Sequence, residues 1–87
     1  MNNEALVDTV GWIGAIALLV AYALISARRV EGDSTSYQSL NLVGSVLLIV
    51  NTVYYRAYPS AFLNLVWGAI AVYAIGKVLP KLLQGKR

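Results

Sequence analysis

Residues 57–76 read AYPSAFLNLVWGAIAVYAIG, twenty positions without one charged side chain. A helix needs about 20 predominantly apolar residues to cross a hydrocarbon core of ~30 Å, and this stretch supplies them. Residues 9–27 and 34–55 are uncharged as well. Over all 87 residues, 59% of the side chains are hydrophobic and 13% are charged, with a mean hydropathy of +0.65. A soluble domain carries about 25% charged residues. The expected fold class is therefore all-α membrane: three transmembrane helices at about 7–27, 36–55 and 58–79. They form a single transmembrane domain over 1–87, with a basic tail at 80–87.

The links support that division. "ARRVEGDSTS" (27–36) holds a helix-breaking Gly32, followed by candidate N-caps from Asp33 to Ser36. "YRAYP" (55–59) is so short that the second and third helices must run antiparallel as neighbours. Pro59 suits the first turn of a helix, where its missing N–H costs nothing, and Pro80 is expected to interrupt the basic tail. The leading "MNNEALVD" carries Glu4 and Asp8 and no basic residue. That is the reverse of a signal peptide's basic n-region, so the first run is read as a span.

Charge placement sets an orientation. Arg28, Arg29, Lys77, Lys81, Lys86 and Arg87 lie at one end of the helices and Arg56 alone at the other. By the positive-inside rule the N-terminus is outside and the C-terminus cytoplasmic. The net charge of +3 is thus membrane anchoring, with Lys77, Lys81, Lys86 and Arg87 placed for anionic lipid; no nucleic-acid partner is expected. Cysteine and histidine are absent, which removes disulfides, thiolate or imidazole metal sites, and Cys or His catalysis. No nucleophile–base pair is apparent. We expect no enzyme activity, no cofactor and no metal.

The polar residues inside the apolar runs have a geometry. At 100° per residue, the third helix gathers Ala57, Ser60, Ala61, Asn64, Trp67, Gly68, Ala71 and Ile75 on one face. On the second, Tyr37, Asn41, Ser45, Leu48, Thr52 and Tyr55 form a stripe flanked by Gly44 and Asn51. The first offers Gly11, Gly14, Ala15, Leu18 and Tyr22. Trp12, Tyr54, Tyr55 and Tyr58 suit an interfacial belt, whereas Trp67 falls near mid-membrane. Asn41 and Tyr22 fall at similar depth. Two readings of these faces stand. Asparagines in membrane helices act as interhelical glue at ~0.6–2 kcal/mol each. Taken together, however, Asn64, Trp67, Asn51, Asn41, Tyr22 and Ser45 would border a small hydrated cavity. Such a cavity, without an ionisable group, suits a neutral solute bound by hydrogen bonds and stacking.

The run from "GWIGAIALLVAY" (11–22) through "NLVGSVLLIVNTVYYRAYPSAFLNLVWGAIAVYAIGKVL" (41–79) resembles the bacterial SemiSWEET sugar transporters of the PQ-loop superfamily. "YPSAFLN" (58–64) is the most telling part. The resemblance implies a homodimer in the bacterial cytoplasmic (inner) membrane, a central pathway for a small polar, sugar-like solute, and Asn64 as its ligand. It also implies a third helix lying between the first two. The family's Pro-Gln pair is absent, Leu24 and Ile25 standing in its place, and its second-helix tryptophan falls at Leu48. The chain looks closer still to an uncharacterised family of small three-helix bacterial membrane proteins typified by "GWIGA", "NLVG" and "YPSAFLN". The expectation is a homodimeric facilitator for a small neutral or zwitterionic metabolite. The alternative is a structural or accessory membrane subunit.

Overall fold

The structure is a computed structural model that describes residues 3–32 and 34–85. Three helices follow one another: α1 (Asn3–Ser26), α2 (Thr35–Tyr54) and α3 (Tyr58–Gly85). The protein is all-helical and elongated, 49 Å by 25 Å by 23 Å. Of the expected lipid-facing residues, Lys86 and Arg87 lie outside the described residues.

α1 and α3 are long and apolar enough to cross a membrane, and in each the apolar window is only 17% buried. A core helix of a soluble protein would be mostly covered. α2 does not reach the same apolarity, because Gln38, Asn41, Asn51 and several hydroxyls interrupt it. Its position supplies the reason. α2 packs against both α1 and α3, while the Cα atoms of α1 and α3 nowhere come within 8 Å of each other. The least apolar helix is the one flanked by protein on two sides.

This order corrects the expectation that the third helix lies between the other two. The physical cause is local. A link of three residues holds α3 beside α2, and a glycine crossing holds α1 against α2's other neighbouring face. A Cβ built on Gly14 would stand 2.9 Å from the Gly44 carbonyl oxygen, and one on Gly44 would stand 2.9 Å from the Gly14 carbonyl oxygen. The two backbones touch there. Leu18 closes over Gly44, its Cγ 2.8 Å from where that Cβ would be, and Leu47 closes over Gly14. The α2–α3 seam is looser: a Cβ on Gly68 would meet Ser45 Cβ at 3.6 Å, an ordinary contact.

Both chain reversals use the same cap. After α1, the Arg28 N–H donates to the Ile25 carbonyl at 3.1 Å and the Arg29 N–H to the Leu24 carbonyl at 2.9 Å. After α2, the Arg56 N–H donates to Val53 at 3.1 Å and the Ala57 N–H to Thr52 at 2.7 Å. These are paired Schellman bonds, which satisfy carbonyls left open at a helix end. The residue at the turning point must be left-handed, and Arg28 (φ 58°) and Arg56 (φ 59°) take that role without a glycine. α2 then starts at Ser34, whose Oγ accepts the Tyr37 N–H at 3.1 Å.

Two boundaries differ from the sequence reading. α1 begins at Asn3, because Asn3 to Leu6 contain good helix formers that the absence of a hydrophobic stripe did not reveal. α3 runs through Pro80 to Gly85. The proline removes one N–H, and the helix continues past that missing donor.

The glycine crossing is testable by thermal unfolding of the purified protein in detergent, followed by circular dichroism. Gly14→Val is expected to lower stability by about 1–3 kcal/mol, since a backbone atom has to move. Gly68→Ala, which meets only ordinary contact, is expected to be neutral or stabilising by up to about 1 kcal/mol.

Candidate functional site

Gly44 faces α1 and its neighbour Ser45 faces α3. Successive helical residues differ by 100°, so α1 and α3 approach adjacent sides of α2 and leave an open trough between them. Tyr37, Asn41 and Leu48 fall between those two directions and form its floor.

Two recesses lie along the trough. The central one, about 210 Å³, is lined by Leu18 and Tyr22 of α1, Tyr37 and Asn41 of α2, and Trp67 of α3. It brings two phenols, an indole and an amide around one space. Trp67 is 46% exposed and Tyr22 69% exposed, so their rings are free to receive a ligand. The Asn41 Nδ2 donates to Gln38 Oε1 at a long 3.4 Å, and Gln38 is fixed in turn by its Nε2 donating to the Gly32 carbonyl at 2.7 Å. The chain from the α1–α2 link thus positions the floor amide.

The second recess, about 230 Å³, is lined by Asp8, Gly11, Trp12, Ala15, Leu48 and Asn51. Leu48 joins it to the trough floor. Here Gly11 and Asn51 work as a unit. A Cβ at Gly11 would overlap the Asn51 amide nitrogen and stand 2.7 Å from its Cγ. The missing side chain is the slot through which Asn51 Nδ2 reaches the Val7 carbonyl at 3.0 Å. One amide thereby ties α2 to the backbone of α1.

The six sequence candidates separate into three groups. Tyr22, Asn41 and Trp67 share the central recess. Asn51 lies in the second recess, already bonded across to α1. Asn64 and Ser45 are in neither: both are closed into the α2–α3 seam, 8% and 0% exposed. Asn64 Nδ2 donates back to the Ser60 carbonyl of its own helix at 3.0 Å, and Ser45 Oγ has no hydrogen-bond partner among the described residues.

Sequence reasoning passed over Asp8 and Trp12. It placed every charge away from the polar faces and gave Trp12 to the interfacial belt, yet both line the second recess. Their signal was present, since 8, 11, 12 and 15 follow helical i, i+3, i+4, i+7 spacing. Asp8 also has a partner that spacing could not reveal: its carboxylate accepts a hydrogen bond from the Tyr55 hydroxyl. Tyr55 lies in the α2–α3 link, and the Asp8 hydrogen bond, with lesser help from desolvation and the Asp8 charge, pushes that hydroxyl up to about 12. A raised phenol pKa means that the protonated, donating form is favoured in the fold. The contact is complete below about pH 10 and is lost as pH rises through about 12.

A family model matches residues 7–81. The chain belongs to that family. The family is an uncharacterised one, with no activity attached to it. The match takes in all of α2 and the glycine crossing, and it ends at Lys81. No curated protein matches the chain, and no solved structure does.

The Gly11–Asn51 pair predicts non-additive energetics. Asn51→Ala is expected to cost about 1 kcal/mol, the net worth of an intramolecular hydrogen bond, and Gly11→Ala about 1–3 kcal/mol through overpacking. In the double variant the losses are expected to sum to less than the two singles, because the added methyl then meets a vacated slot. A double-mutant cycle read by unfolding midpoint measures the shortfall.

Proposed function

We propose that all three helices span the bacterial inner membrane, N-terminus outside, and that two copies form a facilitator for a small neutral or zwitterionic, sugar-like solute. The observation that carries this reading is the central recess, where Tyr22, Tyr37, Asn41 and Trp67 converge from three helices. Phenols and an indole present flat apolar faces for the C–H surface of a solute ring. The hydroxyls and the amide supply donors and acceptors for its polar edge.

The trough is open along one side, so one protomer borders a path and does not enclose it. A second copy laid against the open side completes the wall, which is why the reading is dimeric. α2 then crosses the bilayer with Asn51 bonded to α1 and Asn41 facing the space the two copies enclose, so that its amides meet protein or the pathway and not acyl chains. Among the described residues, no carboxylate or ammonium group lines the central recess, and the carboxylate of the second recess, Asp8, is engaged by the Tyr55 hydroxyl. Coupling to protons normally uses an ionisable group inside the membrane, so the reading is of passage down the solute's own gradient. On this reading, solute contacts fall to Tyr22, Tyr37, Asn41 and Trp67, with Asn51 lining the route and Asn64 and Ser45 held in the seam.

A second reading has its own support. Asn51 spends an amide N–H across the α1–α2 interface, as interhelical glue does, and Asn64 spends one on its own helix inside the α2–α3 seam. On that view the protein is a structural or accessory subunit of the membrane.

Cysteine scanning separates the two, because the chain has no native cysteine. Tyr22→Cys and Asn41→Cys are expected to react with a water-soluble maleimide in membrane vesicles while Ser45→Cys stays protected. Protection at all three positions overturns the conduit. In proteoliposomes loaded against a panel of labelled sugars and zwitterionic metabolites, Trp67→Ala is expected to lower uptake at least tenfold with helix content unchanged. Uptake indistinguishable from protein-free liposomes across the panel supports the accessory reading instead.

A further inference from the structure

A third recess, of about 270 Å³, lies apart from the trough floor, at the end where α3 meets the α1–α2 link. It is lined by Gly32 from the link and by Tyr73, Ala74, Lys77, Val78 and Lys81 of α3. Tyr73, Lys77 and Lys81 succeed one another at i, i+4 and i+8, one above the other on the helix. The Lys77 ammonium stands 5.6 Å from the centre of the Tyr73 ring. That is cation–π range, and it holds the ammonium toward the recess. Among the described residues, no carboxylate lines the recess.

The geometry points to this recess as a binding site for an anionic phospholipid, with the headgroup phosphate held between Lys77 and Lys81. Level, charge and wall chemistry each support it. Lys77 is the first charge after the twenty uncharged residues 57–76. On the membrane-spanning reading, on which this inference rests, that places it where hydrocarbon gives way to headgroups. The link returns to the same level, since Gly32 lines the same recess. Two ammonium groups and the Tyr73 phenol provide donors for phosphate oxygens, each ammonium acting as a point charge. The remaining wall, Ala74 and Val78, is apolar, and Ile70, two turns back on the same side of the helix, is exposed. A free phosphate would leave that surface unused, whereas the glycerol backbone and acyl chains of a lipid cover it. The commitment is to a lipid of net negative charge, bound at a defined place. It differs from diffuse attraction by the basic tail, because Lys86 and Arg87 are not needed for it.

The test uses the full chain purified in mild detergent. It is equilibrated with equal amounts of phosphatidylglycerol and phosphatidylcholine of matched chains, and native mass spectrometry reads the lipid retained. Phosphatidylglycerol is expected to be retained in preference. Lys77→Gln and Lys81→Gln are each expected to weaken retention about fivefold, the worth of one basic residue at an anionic surface. The double Lys→Arg variant is expected to keep retention, and Lys86→Gln with Arg87→Gln to change it less than twofold. Equal retention of the two lipids overturns the site. So does unchanged phosphatidylglycerol retention by the double Lys→Gln variant, provided circular dichroism shows its helix content intact. Displacement of the lipid by millimolar inorganic phosphate would show a free-anion site instead and also overturns the proposal. Failure of the membrane reading shows separately, as a chain that alkaline carbonate extracts from membranes.

Discussion

The contact between the Gly14 and Gly44 backbones is the constraint on which the arrangement depends. Two helices come this close only where neither carries a Cβ, and carbonyl oxygens 2.9 Å from the would-be methyl positions leave no room for one. The gain is dispersion along two long helices in contact, together with the close approach that small residues permit in helix packing generally. Once α1 lies this near α2, Asn51 can reach the Val7 carbonyl and Leu18 can cover Gly44. With larger residues at the crossing neither contact would form.

That crossing also fixes what kind of surface the protein presents. Because α1 takes the Gly44 side of α2 and α3 takes the Ser45 side, the third helix is not available to close a bundle. A closed bundle would bury the small-and-polar faces of all three helices against one another. Here the faces of α1 and α3 meet only α2, and the space between them is a trough floored by Tyr37, Asn41 and Leu48. The large exposed side chains of α1 and α3, among them Leu19, Phe62 and Leu65, leave a broad apolar surface outside the trough, of the kind that marks an interaction face.

Much of this was readable before any coordinates. The uncharged runs, the two short links and Pro59 located three helices to within a few residues. Helical spacing put Gly14, Leu18 and Tyr22 on one side of α1, and Asn41 and Leu48 on one side of α2. The α1 start was missed because hydrophobic periodicity fades in "NEAL", and the run past Pro80 because a proline in the last turns is ordinarily a stop signal. The Schellman caps were hidden, since their left-handed residues are arginines where glycine is the expected signal. Asn64 shows the limit most clearly. Its face on α3 was correctly placed among small residues, but a face does not say whether it meets a cavity or a neighbouring helix. It meets α2.

From local periodicity and the placement of charge, the amino-acid sequence sets the number of helices, their approximate positions and which side of each is small and polar. It did not determine which helix is central. That choice turns on how closely two backbones approach, a quantity set by pairs of residues thirty positions apart, Gly14 with Gly44, and by the slot that Gly11 leaves for Asn51. Only the tertiary structure pairs those positions. By pairing them it converts three similar polar faces into two closed seams and one open trough.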